Sequence, residues 1–417
     1  MVQKLICTVC EKPYEGSHHE FICTHCGASI EPRQRLSPDR EDLKKIIREG
    51  SENGIWDYRP LLPVEDGVQP LSLGEGNTPL IRAERLGQEL GIDHLLLKNE
   101  TLNPSGTYKD RFATVALSLE KDAGTRAVAL GSAGNAASAV AAYSAIADIP
   151  CFVLLPSGAV QERAWQVQSY GARFIRAADG GINDCIDIAV RGEEAFGWKN
   201  VSTTMLHHPY GAEGYKTMAY EMARQLDFEM PDYVVCPIGG AILISKLYRG
   251  FTEMQDLGLI DRIPKLIAVQ AEGCAPFVKA FKEGARKTDF WENADTIAFA
   301  INDPVVFDGV TGLHAVRSSG GFAEAASDGE IIAAMRQCAR TEAVLPEPAS
   351  ATTLAVVKNL LADGRLKKTD KVLCIITGSA LRDLKLMAGE QPDAPRVHNL
   401  SMDDVRKAIA YYGGIVK

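Results

Sequence analysis

Between residues 83 and about 387 the chain alternates two hydrophobic patterns. Longer segments place apolar residues three and four positions apart and read as helices, while short runs rich in aliphatic and β-branched residues read as strands. The runs fall at 95–97, 128–130, 151–155, 173–175, 233–236, 266–271 and 372–376. Strands separated by helices imply parallel sheets with right-handed crossovers. In such sheets ligands bind at the carboxyl ends of strands, so the loops that follow these runs are the places to look for chemistry. Residues 27 to about 75 are polar and rich in proline and charge, which reads as a linker carrying one amphipathic helix near 40–48. The tail from about Gly389 is hydrophilic until Ser401, which is placed to cap a short helix through Tyr411. There is no internal repeat and no low-complexity tract.

At 417 residues the chain is long enough for two or three domains around a substantial core. Its 45 basic residues against 54 acidic ones argue against a nucleic-acid or anionic-membrane partner. No apolar run approaches the roughly 18 residues a membrane span needs, and the N-terminus lacks a secretory core, so a cytoplasmic protein is expected.

Six of the ten cysteines are scattered, several within strand-like runs, and read as buried thiols of a reducing compartment. The other four form Cys7-x-x-Cys10 and Cys23-x-x-Cys26, paired knuckles that set four thiolates around a zinc ion. A closed set of four thiolates leaves no open position, so the metal would be structural. His18, His19 and His25 lie nearby, and one of them could replace a thiolate.

After the run at 95–97, Asn103-Pro104-Ser105-Gly106 reads as a turn. Thr107 is then placed to cap a helix starting at Tyr108, with Asp110 completing a capping-box-like pair. Lys109 thereby falls in the first turn of a helix, where the positive dipole end favours a neutral, nucleophilic amine. After 128–130 comes Gly131-Ser132-Ala133-Gly134-Asn135, small residues whose amides can turn inward toward a carboxylate. After 233–236 comes Pro237-Ile238-Gly239-Gly240-Ala241 ahead of a helix starting near Ile242, a phosphate cradle built from amide donors. The run at 372–376 ends in Thr377-Gly378-Ser379.

The string from Lys98 to Arg111 closely resembles the cofactor-lysine segment of threonine synthases and their fold type II relatives among pyridoxal phosphate (PLP) enzymes, the tryptophan synthase beta superfamily. Leu73-Gly74-Glu75-Gly76-Asn77-Thr78-Pro79-Leu80, Gln270-Ala271-Glu272-Gly273, Glu347-Pro348-Ala349-Ser350-Ala351 and the cysteine-rich start are similar to segments of the same enzymes, and the resemblance covers about residues 1–388. It implies an α/β fold of two doubly wound parallel-sheet domains with PLP between them, plus a small N-terminal zinc-ribbon-like segment. The expected divisions are a ribbon at 1–32, a linker and helix at 33–75, a large PLP-binding domain at 76–122 and 215–390, a small domain at 123–214 and a tail at 391–417. By the resemblance Lys109 binds PLP and moves the substrate α-proton. Ser132, Ala133, Gly134 and Asn135 hold the substrate carboxylate, Asn135 also reaching the phenolic oxygen of the cofactor. Gly239, Gly240, Ala241, Ile242 and Leu243 cradle the cofactor phosphate, and Thr377 faces the pyridine nitrogen. A hydroxyl there leaves the ring a weaker electron sink, suited to eliminations with a good leaving group. A homodimer is expected on the same ground.

The resemblance weakens at one segment. Threonine synthases that use O-phosphohomoserine carry an Asn-Ser pair and an arginine for the substrate phosphate, where this chain has Met205-Leu206 and Gly211. At roughly 1.5–3 kcal/mol per charged hydrogen bond, the loss amounts to several kcal/mol of phosphate recognition. His207, His208, Tyr210 or Arg163 could form a substitute polar pocket, and His208-Pro209-Tyr210 looks somewhat like serine and threonine dehydratases. Phe112 also stands where the family usually has glycine. The implied activity is a PLP-dependent elimination or replacement on an amino acid with a leaving group at the β or γ carbon. Threonine synthase is the specific reading, a serine/threonine-type ammonia-lyase or other β-eliminase the alternative, and a zinc-ribbon interaction protein without turnover the reading from another class.

Overall fold

The computed structural model describes residues 4–14, 21–34, 36–50, 53–132, 134–157, 161–388 and 402–411. Thirteen strands are assigned among them, in three sheets. β1 (Lys4–Cys7), β2 (Pro13–Tyr14) and β3 (Ile30–Arg33) form an antiparallel ribbon in the order β2-β1-β3. β4 (Leu80–Arg82) and β5 (His94–Asn99) open a second sheet. β6 (Val128–Gly131), β7 (Cys151–Leu155), β8 (Arg173–Arg176) and β9 (Lys199–Asn200) make a separate parallel sheet, ordered β8-β7-β6-β9. β10 (Tyr233–Pro237), β11 (Lys265–Ala271), β12 (Phe322–Ala326) and β13 (Lys371–Ile376) then complete the second sheet as β12-β11-β10-β13-β5-β4. Only β4 runs antiparallel there.

The strand interiors explain this layout. Val234, Val235 and Cys236 of β10 and Leu373, Cys374 and Ile375 of β13 are all fully buried. A strand apolar at consecutive positions has to be covered on both faces, which helices returning over a parallel sheet provide. Each strand predicted from 95 to 376 is present, with ends shifted by no more than two residues.

Residues 36–75 are not a linker. Helix Glu41–Glu49 buries Leu43 and Ile47, and the following turns bury Tyr58 and Leu61 in the main core. Trp56 is anchored by its Nε1–H to Thr114 Oγ1 at 2.9 Å. The polar composition of this stretch hid its apolar residues, which recur about once per turn.

A buried ion network locks the strand that leads into the lysine turn. Arg111 donates to Glu100 (2.8 Å) and Glu221 (2.6 Å), and Lys98 of β5 donates to Glu221 at 2.9 Å, all with fully buried side chains. Residues beyond Arg382 form a second unit with helices Leu384–Ala388 and Met402–Tyr411. That division falls earlier than the boundary at 390 expected with the resemblance. No helix among the described residues is long and apolar enough to cross a membrane.

Candidate active site

The carboxyl ends of β6 and β10 and the turn after β5 border one cavity of about 450 Å³. Lys109, Ser132, Gly134, Asn135, Thr377 and every residue from Gly239 to Leu243 line it. Segments from sheets distant in the chain thus meet as the parallel topology requires.

Lys109 reaches the cavity by a route different from a Thr107 cap. Gly106, at φ +82°, reverses the chain, and Thr107 then pairs antiparallel with Gly378 while the Tyr108 amide donates to Thr377 O at 2.9 Å. The helix starts two residues later than expected, as Asp110–Asp122, with Lys109 at its cap. The Asp110 carboxylate accepts the Ser105 amide at 2.7 Å, and so closes the turn instead of a capping box. The consequence is that Lys109 and Thr377 are positioned by the same backbone pairing.

The Lys109 amine donates to Thr203 Oγ1 at 3.0 Å and lies over the rings of Tyr108 and Tyr215, 4.9 and 5.6 Å from their centroids. Desolvation brings its pKa down to about 8, against the opposing pull of Asp303, Asp308 and Glu347. Roughly a tenth to a fifth of the amine is therefore neutral near physiological pH, against well under a hundredth for an ordinary lysine. Asn135 Nδ2 donates to both oxygens of Glu347, and Ser350 Oγ lies 3.0 Å from Thr377 Oγ1. Burial raises the Asp303 carboxyl to about 6, with Lys109 as the opposing influence.

Two observations test whether the residues fit PLP. A β-carbon on Gly239 would lie 2.4 Å from Asp303 Oδ2, so that glycine admits a close approach, whereas one on Gly240 would meet nothing within 4 Å, so that residue borders open space. No acceptor among the described residues takes the amides of Gly239, Gly240 or Ala241, and helix Ile242–Asp256 follows with its unpaired first-turn amides. Donors of this kind suit a phosphate, and a desolvated amine suits an aldehyde. The residues fit the cofactor.

The ribbon cysteines come together as their spacing predicts. The four sulfurs of Cys7, Cys10, Cys23 and Cys26 all lie within 4.8 Å of one another, with Cys7 to Cys26 at 3.4 Å and Cys10 to Cys23 at 3.6 Å. Thiolates ~2.3 Å from a tetrahedral zinc stand roughly 3.8 Å apart, so this set fits a structural metal. His18 and His19 lie outside the described residues.

Some expected substrate contacts are elsewhere. His208 is buried, capping helix Pro209–Ala212 by accepting the Gly211 amide at 2.9 Å, with its Nε2 3.5 Å from Glu120. Tyr210 packs edge-on against Phe21 of the ribbon, 6.1 Å between centroids. Neither borders the cavity. His207 sits one layer behind it, its Nδ1 2.8 Å from Thr204 Oγ1 and its pKa lowered to about 4 by burial. Ala133 and the side chain of Arg163 lie outside the described residues. Sequence reasoning missed Thr203 and Asp303. Thr203 follows β9, a two-residue strand too short to show a period, and Asp303 lies in an irregular stretch between helices Pro276–Lys282 and Gly309–Ser318.

Residues 71–378 match the family of pyridoxal-phosphate dependent enzymes. The chain belongs to that family and is a PLP-dependent lyase. It is 37% identical to a threonine synthase of Methanocaldococcus jannaschii over 393 residues, covering 93% of this chain and 95% of the relative. A threonine synthase of Mycobacterium tuberculosis is 36% identical over 341 residues, 82% of this chain and 91% of the relative. Among solved structures, a diaminopropionate ammonia lyase from Escherichia coli superposes with a TM-score of 0.65 at 17% identity, covering 85% of this chain and 93% of that one. A processed threonine deaminase from Solanum lycopersicum gives 0.63 at 19%, covering 91% of each. These two likenesses establish the fold.

Proposed function

We propose that the protein is a threonine synthase, releasing phosphate from O-phosphohomoserine and adding water to give threonine. The observation that carries the reading is 37% identity to a threonine synthase over 93% of the chain. The cavity supports it, with a cofactor-competent lysine, amide cradle and hydroxyl brought together. When bound, PLP supplies an electron sink for negative charge at the substrate α-carbon.

The protein's own residues do the rest. Lys109 would provide the amine that holds the cofactor, and its Nζ would take and return the substrate proton; its lowered pKa suits both tasks. The amides of Gly239–Leu243 would hold the cofactor phosphate. Thr377, oriented by Ser350, would face the ring nitrogen, and Ser132, Gly134 and Asn135 would hold the substrate carboxylate. Phe299, Ile242 and Leu243 form an apolar part of the wall that limits water. The reading includes a homodimeric, cytoplasmic enzyme, which size-exclusion chromatography with light scattering and cell fractionation test.

One observation favours a second reading, β-elimination from an unphosphorylated amino acid. Lys109 is the sole cation bordering the cavity among the described residues, and Asp303 and Glu347 also border it. Those carboxylates suit a hydroxyl or ammonium better than a phosphate ester. Incubating the PLP-loaded enzyme with O-phosphohomoserine, L-serine and L-threonine separates the two. Phosphate with threonine supports the synthase; an oxo acid with ammonia from the hydroxy amino acids, without phosphate release, overturns it.

A further inference from the structure

The ribbon meets the rest of the protein through buried polar contacts, and these converge on the cofactor cradle. Alternation along β3 sets the geometry. Ile30 pairs with Cys7 and turns into the ribbon's small core, while Ser29 and Glu31 on either side of it point to the main body. Ser29 Oγ donates to Asp308 Oδ1 at 2.6 Å. Asp308, 1% exposed, accepts the Met205 amide on its other oxygen at 3.1 Å, and its own amide donates to Gly240 O at 2.9 Å. One residue therefore joins the ribbon and the segment after Thr203, held by its carboxylate, to the middle of the glycine loop, held by its backbone amide.

Glu31 makes the second connection. It accepts Lys246 Nζ at 2.5 Å, and Lys246, fully buried, also donates to Glu213. Lys246 is the fifth residue of helix Ile242–Asp256, whose first turn completes the cradle. Two further bonds tie the same seat: Thr8 Oγ1 lies 2.9 Å from Thr311 Oγ1, and the Phe21 amide donates to Leu206 O at 3.2 Å. Cys7, a member of the four-sulfur cluster, precedes Thr8 directly, and the Thr8 amide donates to Ser29 O at 3.0 Å.

We propose that the four-cysteine ribbon is a positioning element of the active site: Ser29 and Glu31 fix Asp308 and Lys246, and through them the amide loop Gly239–Leu243, so that metal held by the ribbon sets the affinity for the cofactor. A loop whose donors must converge on one phosphate gains from being held before the phosphate arrives. Ser29 and Asp308 touch neither cofactor nor substrate and act as positioning residues. The inference rests on reading Gly239–Leu243 as the cradle, and its test separates the two ideas.

The experiment measures the PLP dissociation constant of the full-length chain by visible absorbance, with metal content, circular dichroism and melting temperature recorded on the same samples. Ser29→Ala leaves the cysteines and the metal in place and removes one hydrogen bond to Asp308. It is expected to weaken PLP binding about five- to tenfold, only part of the worth of one hydrogen bond to a charged acceptor because the effect reaches the loop through Asp308, with Ser29→Thr restoring it. Cys10→Ser, or a chelator, is expected to release metal and weaken PLP further. Gly239→Val drives a side chain against Asp303 and so distorts the cradle, which reports on that assignment separately. Unchanged PLP affinity in Ser29→Ala, with Gly239→Val impaired, overturns the coupling; unchanged affinity in Gly239→Val overturns the cradle reading beneath it. Should metal loss unfold the protein, Ser29→Ala, which keeps the metal, decides alone.

Discussion

Asn135 and Glu347 stand 212 positions apart in the chain, yet Asn135 Nδ2 donates to both oxygens of the Glu347 carboxylate at 2.8 and 2.9 Å. The pair joins the head of helix Asn135–Ala147, beside the four-stranded sheet, to the head of helix Pro348–Ala362, beside the six-stranded one. Gly378 leaves the carboxylate its place, since a β-carbon there would lie 2.4 Å from Glu347 Oε1. Glu347→Gln is expected to lower kcat about tenfold by exchanging a charged acceptor for an amide, with little change in cofactor content. Steady-state kinetics on the purified variant check this; full kcat would refute a role for the pair.

Cofactor attachment should follow the protonation of Lys109. With a pKa near 8 instead of 10.5, the neutral amine grows about tenfold per pH unit below 8 and then levels. The rate at which the apoprotein takes up PLP, followed by rapid-mixing absorbance, should bend near pH 8. A bend near 10.5 would show that desolvation does not tune this lysine. Lys109→Ala should lower turnover by at least about a thousandfold, since both attachment and proton transfer are lost.

Asp303 should leave a signature in stability. Its folded pKa, about 6, exceeds the ordinary 3.8, so between those values the native state holds its proton more tightly than the unfolded chain. Stability from this group is therefore present below about pH 4 and declines as pH rises through 6. Urea unfolding of the apoprotein at a series of pH values should show that decline, and Asp303→Asn should remove it. Parallel curves for the two proteins would count against a buried carboxyl at this position.

Arg111→Ala would strand Glu100 and Glu221 without their guanidinium. Removing one partner from a buried ion network costs about 3–5 kcal/mol, and denaturant unfolding should show a loss of that size. Arg111→Lys should recover only part of it, because an ammonium lacks the planar fork that reaches both carboxylates.

The parallel sheets and the strand-end loops were legible because each depends on a local pattern: an apolar run, then small residues, then a helix. Gly239–Leu243 and Gly131–Asn135 are examples. What escaped the sequence depends on tertiary pairing. Thr107 looks like a helix cap until Gly378, far along the chain, takes it as a strand partner. His208 and Tyr210 sit in a segment that matches a phosphate pocket by order, but their side chains turn toward Glu120 and the ribbon. Asp303 has no periodic context at all, and only its approach to Gly239 draws notice.

The placing of β13 governs how the molecule can be made. It pairs with β5 on one side and β10 on the other, so the large sheet has no connected centre until residues 371–376 exist. A nascent chain that has emerged only through β12 holds two unjoined halves, each with an open, apolar strand edge. Completion of this sheet is thus a late event on the ribosome, and a chain ending before Lys371 should accumulate as aggregate.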